Sequence, residues 1–130
     1  SDIKPISIKK NKIKKKENLK EIKIENNIDI LGFLGTHNRY RPKLVVGFSA
    51  ETNDLLKNAI KKKEKKYCDV MIANDVSKKD LGLNKYLNEV TIINKNRKTE
   101  KIPKISKKFI ASIIAKKIVR TFLLNEKSFN

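Results

Sequence analysis

Two lysine clusters are the residues of this sequence whose type and spacing bear most directly on chemistry. "KIKKK" spans Lys12 to Lys16, and "AIKKKEKKYCDVMIANDVS" carries Lys61, Lys62, Lys63, Lys65 and Lys66 straight into an apolar run that ends in Asn74-Asp75. On a helix Lys62 and Lys66, four apart, share a face, where like charges repel unless an anion lies between them. Ammonium groups held this way would face a polyanion bound at the sheet's edge. A cationic helix end that complements the macrodipole explains the same spacing about equally well. The shorter cluster, taken alone, is a basic turn.

Other chemistry is thinly represented. His37 is the sole histidine and sits in a polar turn, where an exposed loop role is far commoner than general-base work. Cys68, the sole cysteine, precedes an apolar run and reads as a small buried residue. It rules out an internal disulfide and fits a reducing, cytoplasmic setting. No glycine-rich dinucleotide loop, GxxxxGK[ST], GxSxG elbow or paired Cys/His metal spacing occurs. A metal held by protein ligands alone is therefore not expected, whereas magnesium entering with phosphates needs only one or two carboxylates.

The elements that must carry the lysines follow from the apolar pattern. "SDIKPISIKK" begins without methionine in alternating sequence, as if cut from something longer, and Ile6 and Ile8 read as a half-buried strand. Leu19, Ile22 and Ile24 suggest a second strand, a hairpin partner of the first. Asn27 can cap a short helix containing Ile30, Leu31 and Leu34 and ending near Gly35. "KLVVGF" is a β-branched strand stopped by Gly47, and "SAETNDLLKNAIKKKEKK" a helix capped by Thr52 or Asn53 with Leu55, Leu56, Ala59 and Ile60 on its apolar face. "DVMIA" is the next strand, 74–88 a long loop around Gly82, "EVTIINK" another strand, and "NRKTEK" has hairpin-like polarity. In the closing helix Phe109, Ile110, Ile113, Ile114 and Ile118 share one face.

That order predicts an α/β domain, Rossmann-like, with a mostly parallel sheet flanked by helices and an extended N-terminal β-arm. The arm is expected over 1–26 and the α/β core over 27–130, the whole being an incomplete domain. Ligands in such sheets sit beyond the carboxyl ends of the strands. "GFSAET" and "NDVS" lie there, and both are site candidates.

With 130 residues, 38% apolar and 35% charged, the chain is long enough for one core. No run approaches the roughly 18 apolar residues of a membrane span, and no signal peptide is visible. The net charge of +18 points to a polyanionic partner. Nearly all of it is lysine, with arginine only at Arg39, Arg41, Arg97 and Arg120, whereas base reading favours arginine's planar fork. Most of the charge reads as solvated decoration on a lysine-rich sequence.

The ordered set of segments is more specific than any one of them. "PKLVVGFSAET", "KKKEKKYCDVMIANDVS", "NEVTII" and "ISKKFIASIIAKKI" follow one another as in phosphopantothenate–cysteine ligases, a family that often forms the C-terminal half of a bifunctional coenzyme A biosynthesis flavoprotein. Upstream, "SDIKP" resembles the family's Ala-Asp-Trp-like segment, "KIKK" its KxKK motif and "NIDIL" its Asn-Pro-Asp-Ile-Leu. The resemblance implies an enzyme that uses CTP, with magnesium, to activate 4'-phosphopantothenate as an acyl-cytidylate, which the amine of L-cysteine then attacks. It implies CTP contacts at Asp2, Ile28, Asp29, Ile30, Leu31, Phe48, Lys62 and Lys66, with Lys12 of the KxKK motif as the catalytic lysine. It also implies a homodimer, or association with the missing N-terminal half or with a decarboxylase, and neither nucleic acid nor membrane as partner.

Three departures accompany the resemblance. Ile28 replaces the usual proline, Ser49 stands where alanine is common, and the family's N-terminal half with its acyl-cytidylate loop has no counterpart in these residues. Two other readings are a basic nucleic-acid-binding module, supported by charge alone, and an inactive truncated remnant.

Overall fold

The computed structural model describes residues 3–7, 21–78 and 85–127. It divides into two units, Ser1–Ile30 and Leu31–Asn130. In the first, β1 (Ile3–Pro5) pairs antiparallel with β2 (Ile24–Asn26), Ile3 opposite Asn26 and Pro5 opposite Ile24. This is the hairpin-type pairing read from the sequence, with its ladder displaced: Ile6 lies just past β1 and its N–H donates to the Lys23 carbonyl at 3.0 Å. Ile8 and Leu19 fall outside the described residues. All six strand residues are exposed and so is Ile6, so the half-burial expected of Ile6 is corrected.

The second unit is an α/β sandwich. Helix α1 (Ile30–Thr36) leads to β3 (Val46–Glu51), α2 (Leu55–Lys65), β4 (Val70–Asp75), β5 (Leu87–Ile93), β6 (Thr99–Ser106) and α3 (Lys107–Lys127). The sheet order is β3-β4-β5-β6. β3 and β4 are parallel, joined by α2 as a crossover, and both later pairings are antiparallel. Three of the four strands thus point the same way, as the mostly parallel reading requires, while β5 runs against them because only a tight turn at 94–98 separates it from β6.

Apolar side chains alternate across this sheet and fill both faces. Val70, Ile72, Val90, Ile92 and Ile102 pack against Ile110 and Ile114 of α3, while Val45, Met71, Ala73 and Ile93 pack with Ala59 of α2 and Cys68. β4 is covered on both sides, which is why its sequence is one continuous apolar run instead of an alternating one.

Several local readings need correction. β3 continues through Gly47 to Glu51, because Gly47 lies where a Cβ would come 2.9 Å from Leu31 Cδ2 and 3.0 Å from Met71 Cε. Close packing, not strand termination, explains that glycine. The α2 N-cap is Asp54, in left-handed geometry at φ 45° and without a side-chain cap, instead of Thr52 or Asn53. β5 begins at Leu87, inside the expected loop. The residues after the turn form a full strand, β6, despite Pro103; an edge strand tolerates proline, and the register shifts between Asn88 and Val90 at that point. Phe109, placed on the apolar face of the last helix, is 66% exposed, since the helix turns Ile110, Ile113 and Ile114 to the sheet instead.

Candidate functional site

The carboxyl ends of β3 and β4 meet at one rim. The N–H of Val76, just past β4, donates to the Glu51 carbonyl at 2.9 Å, so "GFSAET" and "NDVS" are tied together directly. The Asp75 carboxylate turns the chain here, accepting from the Ser77 N–H at 3.0 Å and the Ser77 hydroxyl at 2.6 Å. Those hydrogen bonds, led by the Ser77 hydroxyl, hold the Asp75 carboxyl below its ordinary value. On β5, Glu89 takes the Lys78 ammonium at 2.6 Å and the Lys101 ammonium at 3.3 Å, and the Lys78 bond leads in lowering its pKa.

Lys62 comes to this rim from α2. Its Nζ lies 2.9 Å from Oε1 of Glu51, the last residue of β3, and the Ser49 hydroxyl donates to that same oxygen. Ser49 was read as a mild exchange for alanine; its hydroxyl joins the Glu51–Lys62 pair on this face. Burial pushes the Glu51 carboxyl up, but the hydrogen bonds from Ser49 and Lys62, with the Lys62 charge, outweigh it and hold the group below its ordinary value. Glu51 was not among the residues picked from sequence. The signal available was its place at the carboxyl end of a strand, inside a segment already singled out.

Lys66 caps α2, its N–H donating to the Lys62 carbonyl at 2.9 Å, and is half-buried. Its carbonyl lies against α1, where a Cβ on Gly35 would come within 1.8 Å. Leu31 also faces inward, packing with Val45 and Met71.

Phe48 points to the opposite face of β3 from Glu51, because successive strand side chains alternate. Its ring is exposed and borders an open cavity of about 330 Å³ lined also by Asn74, Asn88, Lys107, Ile110 and Ile114. The buried Oδ1 atoms of Asn74 and Asn88 have no hydrogen-bond partner among the described residues. The structure therefore brings Lys62 to Glu51 on one side of the rim and Phe48 to the two asparagines on the other.

In the first unit Ile28 and Ile30 are exposed, and Ile28 is bound by the Asn27 side chain, which accepts from its N–H at 2.9 Å. Asp29 is also exposed. Asp2 and Lys12 lie outside the described residues. Among the described residues no group of three His, Cys, Asp or Glu is placed to hold a metal ion, and no helix is long and apolar enough to cross a membrane.

The basic and polar groups gather beyond the carboxyl ends of β3 and β4, where open α/β sheets bind their ligands. The chain belongs to the DNA/pantothenate metabolism flavoprotein C-terminal domain family, which it matches over residues 1–122. It is 39% identical over 118 residues to the coenzyme A biosynthesis bifunctional protein CoaBC of Borreliella burgdorferi, covering 89% of this chain and 29% of that protein. It is 38% identical over 94 residues to CoaBC of Vibrio vulnificus, covering 71% of this chain and 23% of that protein. The solved C-terminal domain of a CoaBC superposes with a TM-score of 0.61 at 29% identity, covering 82% of this chain and 46% of that one. The chain thus spans about a quarter of the length of these curated relatives. The resemblance read from its motifs is borne out at the level of family and fold.

Proposed function

We propose that this chain supplies the CTP-binding part of a phosphopantothenate–cysteine ligase acting in coenzyme A biosynthesis. The observation that carries the reading is the Lys62 ammonium standing at the joined carboxyl ends of β3 and β4, within a chain of this family. In the reaction the carboxylate of 4'-phosphopantothenate attacks the α-phosphate of CTP and pyrophosphate leaves. The amine of L-cysteine then attacks the acyl carbon and CMP leaves. Negative charge grows on the α-phosphate and on the departing pyrophosphate, and fixed ammonium groups at the rim lower that barrier.

In this reading Lys62 and Lys66 bind the triphosphate, Phe48 offers an apolar wall to the base or ribose, and Asp2 accepts from ribose hydroxyls. Ile28, Asp29, Ile30 and Leu31 contact the nucleotide, and Lys12 acts on the reacting phosphate. Magnesium enters with the triphosphate oxygens. The loop that handles the acyl-cytidylate would come from the family's N-terminal half, as a further segment or a separate chain, and the proposed partners are that half, a second copy of this chain or a decarboxylase.

Thermal unfolding in the presence of nucleotide tests this. CTP with magnesium is expected to raise the midpoint more than ATP or UTP does, and Lys62→Gln to abolish most of the rise while lowering the midpoint of the free protein only slightly. An equal response to all three nucleotides would make the rim an unspecific anion trap. Steep loss of RNA or DNA binding with salt, without any nucleotide preference, would support the nucleic-acid module instead.

A further inference from the structure

Glu51 places a carboxylate beside the very lysine that the functional reading assigns to a triphosphate. Through space alone such a charge opposes anion binding, so its presence calls for another role. Glu51 and Ser49 are 9% and 2% exposed, whereas the Lys62 side chain is 49% exposed. The carboxylate is the fixed member of the pair and the lysine the movable one. Its backbone is fixed as well, since the Glu51 carbonyl accepts from Val76 N–H and the strand pairs Glu51 with Asp75.

We propose that Glu51 is a positioning residue: steadied by the Ser49 hydroxyl, it holds the Lys62 ammonium at the rim so that a phosphate oxygen meets a lysine already in place. This rests on the reading of Lys62 as a triphosphate contact. A free lysine loses much rotamer freedom when it is ordered by a ligand, and Glu51 removes part of that loss before binding. The carboxyl is held ionised at neutral pH by the same hydrogen bonds that connect it to Ser49 and Lys62.

The two roles for Glu51 predict opposite signs. If it acts only through its charge, Glu51→Gln removes a repulsion and tightens binding of any triphosphate. If it positions Lys62, the same variant weakens binding although the site has become more positive.

Isothermal titration of the full chain with magnesium CTP and with inorganic tripolyphosphate reads the sign. We expect Glu51→Gln to weaken both ligands about tenfold, as loss of a charge-assisted contact does, and Ser49→Ala to weaken them less. The Glu51→Gln effect should vanish in a Lys62→Ala background, because the carboxylate acts through that lysine. Should Glu51→Gln fail to fold, Ser49→Ala with and without Lys62→Ala carries the same cycle. Unchanged or tighter binding, or an equal loss with and without Lys62, overturns the positioning role. If the pattern holds for tripolyphosphate while CTP shows no preference over ATP and UTP, the ligase reading fails and the positioning role stands. If CTP is preferred but Glu51→Gln tightens it, the reverse holds. Failure of the wild-type chain to bind either probe overturns both.

Discussion

The carbonyl oxygen of Lys66 stands 1.8 Å from the point where a Cβ on Gly35 would sit. Helix α1 is thus pressed against the turn that ends α2, and the contact is backbone on one side, which cannot rotate away. In a helix Gly→Ala ordinarily stabilises by roughly 0.5–1 kcal/mol. Here Gly35→Ala is expected to destabilise by at least about 2 kcal/mol, the scale of overpacking a closed site. Urea unfolding checks it: a lower midpoint at unchanged m is the expected result, and a midpoint at or above wild type would refute the contact.

Arg41 ties the same corner together. Its guanidinium donates to the Gly35 carbonyl at 3.0 Å, the Tyr67 carbonyl at 2.9 Å and Asp69 Oδ2 at 2.9 Å, while Asp69 Oδ2 also accepts from the Val45 N–H at 2.8 Å. Arg41→Ala should cost about 2–3 kcal/mol, and Arg41→Lys should recover only a minor part, because an ammonium lacks the planar fork that reaches these acceptors and the Pro42 carbonyl together. Full rescue by lysine in chemical denaturation would show that charge alone matters.

Glu51 makes a pH prediction. Its folded pKa is depressed below the ordinary 4.5, so the stability it contributes is present above that value and is lost as pH falls through the lower folded pKa. Stability of the wild-type domain should therefore drop below pH 4.5, and Glu51→Gln should remove part of that drop within the same window. Parallel curves for the two proteins, measured by denaturant titration at stepped pH, would count against the Ser49–Glu51–Lys62 connection.

Cys68 is 5% exposed, and burial, opposed in part by the Lys63 charge, pushes its thiol up from the usual value. A buried, protonated thiol reacts slowly. Labelling with a disulfide reagent at neutral pH should be slow in the native protein and complete on adding denaturant; rapid native labelling would mean the α2 side of the sheet opens easily.

The order of elements was legible because apolar periodicity reports burial, and β4, α2 and α3 are buried in simple ways. Strand β6 was not, because Pro103 lowers strand propensity and only the edge position makes it acceptable. Phe109 misled because helical spacing places it near Ile110 and Ile113, and only packing shows which side the sheet takes. At the candidate rim Lys62 was legible as a lysine of the basic helix, whereas Lys66, four residues on, ends α2 beside Gly35. Glu51 was not, since its partnership with Lys62 is made across space between a strand end and a helix, and no periodicity records it. Placement of Asp2 and Lys12 lies outside the described residues.

β4 is bonded to β3 along one side and to β5 along the other, and Met71, Ile72 and Ala73 have no accessible surface. Its amide hydrogens can reach deuterium only when the whole domain opens, whereas those of the three-residue β1–β2 ladder need only local fraying. A single exchange experiment on Met71 to Ala73 would therefore time the opening of the entire sheet.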